Sequence, residues 1–239
     1  MYYHGTSRTN AYLIMKNGFK IGEVMHGRAH GHGVYVCHKK ESAVIWANED
    51  GVIIQCELQP GLRVLWIHEE YDDKVIKSLK REFGKDLLKA GPDFFKFIPK
   101  NKKLTKTELI NFCNYFFEQR IKMGNKPSAR NFGKRSATNW RDFPYLTDYI
   151  KRYQFDAIGD KSGKYWDSDE IMVFNPSNVK PISAHLYTNQ WRDHLAVNVR
   201  LLETLSLNNL KFLHDADVKE MEEWMKKWDE DGKVDKSEQ

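Results

Sequence analysis

The spacing of apolar residues changes several times along the chain, and each change predicts a new element. Residues 1–6 form a short extended run. Ala11, Leu13, Ile14 and Met15 then follow helical spacing up to Gly18, which suits a C′ position. Residues 33–37 read as extended, 42–48 as a short helix, and 52–58 as a β-branched strand closed by the turn Gln59-Pro60-Gly61. Helical spacing covers 72–88 and 105–122, and the polar, Gly- and Pro-containing stretch 124–136 separates these from a further helix. Extended structure returns at 156–159, 170–174 and 179–186, broken by the turn Asn175-Pro176-Ser177-Asn178. From about Asn189 onward, Leu201, Leu202 and Leu205, then Val218, Met221, Trp224, Met225 and Trp228, predict helix, with fraying over the last ten residues or so.

Strands at both ends and helices between them give an α+β class. The predicted organisation is one domain over 1–187 with a helical insertion at about 62–153, followed by a helical C-terminal extension over 188–239. The chain has 239 residues, 41% hydrophobic and 30% charged, which excludes disordered and collagen-like classes. No apolar run approaches the roughly 20 residues of a spanning helix. The start MYYHGTSRTN lacks a basic-then-apolar leader, so the expectation is a cytoplasmic protein without a membrane partner. Cys37, Cys56 and Cys113 match neither a disulfide framework nor a paired zinc pattern and read as reduced.

Charge is segregated. Residues 74–152 carry 20 Lys and Arg against 7 Asp and Glu, a local +13 in a chain of net +5, so the remainder is acidic. Aromatics recur in this basic span, among them Phe94, Phe95, Phe97, Tyr115, Phe116, Phe117, Phe132 and Trp140. Two readings follow: a surface with phosphate contacts and stacking platforms, or a solvated helical insertion whose aromatics are core.

Three segments carry the candidate chemistry: His4-Gly5-Thr6, Gly31-His32-Gly33-Val34-Tyr35, and Glu170-Ile171-Met172-Val173-Phe174. Each is weak alone, since a Tyr in such a strand is usually packed and a Glu opening a strand is usually solvated. Their order is more specific, with Gly18-Phe19 after the first and a Ser42-Ala43-x-x-Trp46 helix after the second. In this pattern the chain resembles the ADP-ribosyltransferase superfamily, in the His-Tyr-Glu branch of poly(ADP-ribose) polymerase catalytic domains and diphtheria toxin. The resemblance covers about 1–60 and 154–187.

The resemblance implies a split β-sheet cradling NAD as substrate, transfer of ADP-ribose and release of nicotinamide. Cleavage of the ribose–nicotinamide bond develops positive charge on the sugar, and a carboxylate at that sugar stabilises it; Glu170, projecting into a cleft, is the candidate. Nicotinamide is a flat aromatic cation, best held between ring faces, here Tyr35 and Trp46, the latter a departure from the usual Tyr. The implied contacts continue with His4 on the adenosine-side ribose, Gly5 and Thr6 in the same motif with the Gly5 backbone approaching the carboxamide, Ser42 on that carboxamide, and Arg28 of the donor loop on the diphosphate. His26, His30, His32 and His38 suggest a metal, with His26 and His30 four apart, but the Gly-rich segment reads as a loop where that spacing needs a helix, and no Cys or carboxylate completes the set, so none is expected. Ser168, two residues before Glu170, departs from the E-x-E and Q-x-E pattern, which counts against an arginine acceptor.

The expected activity is therefore transfer of a single ADP-ribose, with RNA or DNA as acceptor on the strength of the basic span. The resemblance extends this to a toxin or phage-defence effector with a neutralising antitoxin partner. A protein acceptor is the alternative, as is a non-catalytic nucleic-acid-binding protein on the same fold.

Overall fold

The computed structural model describes residues 1–21, 33–47, 51–82, 103–124, 143–161, 169–192 and 195–234. In chain order the elements are β1 (Tyr2–Thr6), α1 (Arg8–Asn17), β2 (Val34–Cys37), α2 (Lys40–Ala47), β3 (Val52–Leu58), β4 (Val64–Ile67) and α3 (Asp73–Glu82). There follow α4 (Lys106–Gly124), α5 (Phe143–Lys151), β5 (Ala157–Asp160), β6 (Glu170–Val173), β7 (Val179–Arg192), β8 (Leu195–Leu205) and α6 (Leu207–Val234). The class is α+β.

The chain folds as two units, one of Met1–Phe19, Lys39–Glu57 and Lys180–Gln239, the other of Lys20–His38 and Leu58–Val179. The C-terminal segment Lys180–Gln239 thus belongs with the N-terminal strand. The first unit orders its strands β1-β3-β7-β8, with β1 antiparallel to β3 and β7 antiparallel to β8. Helix α2 packs on β1 and β8, and α1 packs on α6. Its apolar centre is Val44, Ile53, Ala196 and Val199, with Tyr3, Tyr187 and Leu201 against them.

Local signals explain the helix ends. Ser7 caps α1 by accepting from the Asn10 N–H at 3.3 Å, and the Gly18 N–H closes it on the Ile14 carbonyl at 2.8 Å. Thr105 and Glu108 cap α4 reciprocally: the Glu108 carboxylate accepts the Thr105 N–H at 2.8 Å, and the Thr105 hydroxyl accepts the Glu108 N–H at 3.2 Å. Ser206 caps α6 by accepting from the Asn209 N–H at 3.1 Å.

Against the helix expected from Asn189, the chain remains in a β-hairpin to Leu205 and turns helical only after Ser206. Leu201, Leu202 and Leu205 mimic helical spacing. The strand alternation is concealed by register shifts at His185/Tyr187 and Thr188/Gln190 and by Asn198 at φ 53°. Strand β4, inside the expected helical insertion, was likewise not anticipated.

The second unit orders its strands β4-β5-β6-β2, with β4 and β5 parallel and the other pairs antiparallel. One face of this sheet, including Leu65, Ile67, Ile158 and Met172, packs with Ile76 and Leu79 of α3, Leu109, Ile110, Phe112 and Cys113 of α4, and Tyr149 and Ile150 of α5. Burial of each large aliphatic or aromatic side chain contributes about 1.5–3 kcal/mol. Two buried asparagines fasten α4 to the segment after β4: Asn114 Oδ1 accepts from the His68 N–H at 2.9 Å and Asn111 Oδ1 from the Asp72 N–H at 2.6 Å. Tyr115 is also core, 6% exposed, so the stacking-platform reading fails for it. Phe94, Phe95, Phe97, Phe132 and Trp140 lie outside the described residues. All three cysteines are buried and outside any disulfide. Among the described residues, no helix is long and apolar enough to cross a membrane.

Candidate active site

The second unit brings Tyr35 and Glu170 together. Strands β2 and β6 run antiparallel with Tyr35 opposite Met172 and Cys37 opposite Glu170. Because alternate residues share a face, Tyr35, Cys37, Met172 and Glu170 lie on one side of the sheet, and Tyr35 and Glu170 are diagonal neighbours about 7–8 Å apart. Gly33 permits this pairing: a Cβ there would stand 2.6 Å from both the Met172 side chain and the Val173 carbonyl oxygen. The glycine of the G-V-Y motif is thus required by strand–strand approach.

Glu170 is 1% exposed, so the expected projection into a cleft is not what the described residues form. A second carboxylate lies beside it. The β5–β6 register pairs Gly159 with Ile171, and its continuation by one residue sets Asp160, 0% exposed, opposite Glu170. Asp160 in turn faces Ile67 of β4. Cys37, Glu170, Asp160 and Ile67 form the last row of the four strands. Directly beyond it, exposed His38 and Lys161 gather around Trp66, with His38 stacked at 6.2 Å and 27° and the Lys161 ammonium 4.2 Å from the ring centroid. Lys161 also approaches Glu69 at 3.7 Å.

Two neighbouring interior carboxylates are rare where apolar packing is the only need. Asp160 was missed from sequence. The available signal was an acidic residue ending the apolar strand Ala157-Ile158-Gly159.

The first unit holds His4, Gly5, Thr6, Ser42 and Trp46. His4 is half-buried on β1 and meets Phe19 edge-on, with centroids 5.1 Å apart and planes at 87°. Thr6 is buried on the same face of the strand as His4. Gly5 lies on the opposite face, where a Cβ would come within 1.8 Å of the Ala43 carbonyl oxygen. Close packing of α2 on β1 therefore accounts for this glycine without a ligand. Ser42 and Trp46 are one turn apart on α2 and share a helix face, Ser42 half-buried and Trp46 40% exposed. Arg28, His26, His30, His32 and Ser168 lie outside the described residues.

Burial pushes the Cys56 thiol up to about 12 and raises the Cys113 thiol further, so both stay protonated and unreactive at neutral pH. Neither is a candidate nucleophile. No family model, curated protein or solved structure matches this chain.

Proposed function

We propose that this protein is an NAD-dependent mono-ADP-ribosyltransferase with the split-sheet fold of that superfamily. The diagonal pairing of Tyr35 and Glu170 supports this reading most directly, because an aromatic face and a carboxylate on adjacent strands are what a nicotinamide riboside requires. In this reading Tyr35 stacks on the nicotinamide, and Glu170 orients the ribose and stabilises its developing charge. An acceptor hydroxyl or ring nitrogen then bonds to C1″ as nicotinamide leaves.

The acceptor of this reading is RNA or DNA. The local +13 of residues 74–152 supports it, as does α3, which exposes Lys74, Lys77 and Arg81. A cytoplasmic toxin or phage-defence effector, held in check by a neutralising partner, is the matching role. The burial of Glu170 favours a second reading, a nucleic-acid-binding protein on this fold without transferase activity. Incubation with NAD labelled in its adenylate phosphate, separately with RNA, DNA and protein, tests the choice. Label on nucleic acid together with free nicotinamide is expected; label on protein would change the acceptor, and no nicotinamide release with any acceptor would remove the transferase reading.

A further inference from the structure

A polar cluster in the first unit, apart from every residue assigned above, has the arrangement of a reactive hydroxyl. Ser183 and His185 are two apart on β7 and project to the same face. Ser183 Oγ lies 2.7 Å from His185 Nε2. His185 Nδ1 lies 3.2 Å from the hydroxyl of Thr204, which stands opposite it on β8. Ser183 Oγ also donates to Gln55 Oε1 at 2.9 Å. Ser183 and His185 are half-buried and Thr204 is exposed, so the cluster opens to solvent.

We propose that Ser183 is a base-activated nucleophile toward acyl and phosphoryl electrophiles of the activated-ester class, with His185 as its general base and Thr204 as the positioning residue. A nucleophile within hydrogen-bond reach of a base, and a third group orienting that base, is the geometry that such activation requires. An imidazole between two hydroxyls accommodates both tautomers. With Nδ1–H donated to Thr204, the Nε2 lone pair faces the Ser183 hydroxyl. Oγ then attacks the electrophilic carbon or phosphorus, the bond to the leaving group breaks, and the serine proton passes to Nε2 and on to the leaving group. In the other tautomer Nε2–H donates to Oγ and the serine proton rests on Gln55 Oε1, which keeps the hydroxyl in place. Burial lowers the His185 pKa below 6.5, so the ring is neutral, and therefore a base, at pH 7. Nothing in this step uses NAD or the Tyr35–Glu170 row.

The test is labelling of the intact protein by a biotinylated alkyl fluorophosphonate, read by intact mass and peptide mapping. In that reaction an Oγ–P bond forms and the P–F bond breaks. The expected result is a single adduct at Ser183 in the wild type and none at that position in Ser183→Ala. Labelling should be about 100-fold slower or more in His185→Gln, in line with the usual contribution of a general base. Thr204→Val, a change at an exposed side chain, should slow labelling severalfold with an unaltered circular-dichroism melt, which keeps the test decisive if His185→Gln fails to fold. The wild-type rate should decline only as pH falls through a single ionisation below 6.5. An unlabelled wild type, or Ser183 labelling at the same rate in folded His185→Gln or Thr204→Val, would overturn the proposal.

Discussion

In the first unit the motif glycine of β1 faces a helix, whereas in the second unit the motif glycine before β2 faces a strand. At Gly5 the obstruction is the rigid backbone of α2, with the Ala43 carbonyl carbon 2.8 Å and the Ala47 nitrogen 2.9 Å from the position of a Cβ. At Gly33 the two nearest atoms, both at 2.6 Å, are one of the flexible Met172 side chain and the Val173 carbonyl oxygen. The units also differ in what their chemistry-bearing residues meet. Trp46 is substantially exposed, while Glu170 and Asp160 are sealed in the interior. Short motifs of similar form thus mark residue types without marking environment, and a substitution at each has a different mixture of structural and chemical consequence.

The largest expected effect breaks or supports the steric half of that comparison. Gly5→Ala forces α2 off β1, an overpacking cost of about 3 kcal/mol or more. For a chain of this size that corresponds to a fall in Tm of about 6–12 °C, measured by calorimetry. Gly33→Ala should fall by less, because its nearest backbone atom stands 2.6 Å from the added Cβ against 1.8 Å at Gly5. Equal losses would show that the helix and strand contacts are equally rigid.

Next in size is a chemical effect with little structural change. Glu170→Gln keeps side-chain volume in a closed interior, so Tm should change by only a few degrees while nicotinamide release falls about 100- to 1,000-fold. Glu170→Ala adds a cavity and should lose stability as well. A folded Glu170→Gln protein that turns over NAD within a few-fold of wild type would assign Glu170 to the architecture alone. Asp160→Asn, measured alongside, reports whether the neighbouring carboxylate takes part or only occupies the same row.

The sequence was most informative where periodicity and local capping agreed. The extended runs at 1–6, 33–37 and 170–174 became β1, β2 and β6, and the helix ending at Gly18 became α1. Asn175 accepts from the Ser177 N–H at 3.1 Å, so the predicted turn is held by its own side chain. The hairpin β7–β8 was hidden because its irregularities shift the alternation, and Leu201, Leu202 and Leu205 then satisfied a helical template. Candidate residues were legible as types in order. Their surroundings were not, because strand order comes from long-range pairing: nothing near Glu170 in the sequence announces Asp160 beside it. The Ser183–His185 pair sits in a simple i, i+2 pattern, but Thr204 and Gln55 complete it from distant strands.

The smallest structural effect belongs to the proposed acceptor surface and sharpens the contrast between exposed and interior groups. Lys74, Lys77 and Arg81 recur at i, i+3 and i+7 along α3, on a face away from Ile76 and Leu79, which are core. All three are exposed, and none forms an ion pair among the described residues. Replacing them together by Gln should change stability by no more than about 0.5 kcal/mol per site, as expected for surface positions. If each cation neutralises one phosphate, the slope of log K against log salt for single-stranded RNA should become shallower by about 2, at roughly 0.7 per phosphate. Nicotinamide release without acceptor should be unchanged, because α3 contributes no residue to the Tyr35–Glu170 row. Binding measured at several salt concentrations decides the point. An unchanged slope would make this helix face a solvated surface and move the acceptor contacts to another part of the basic span.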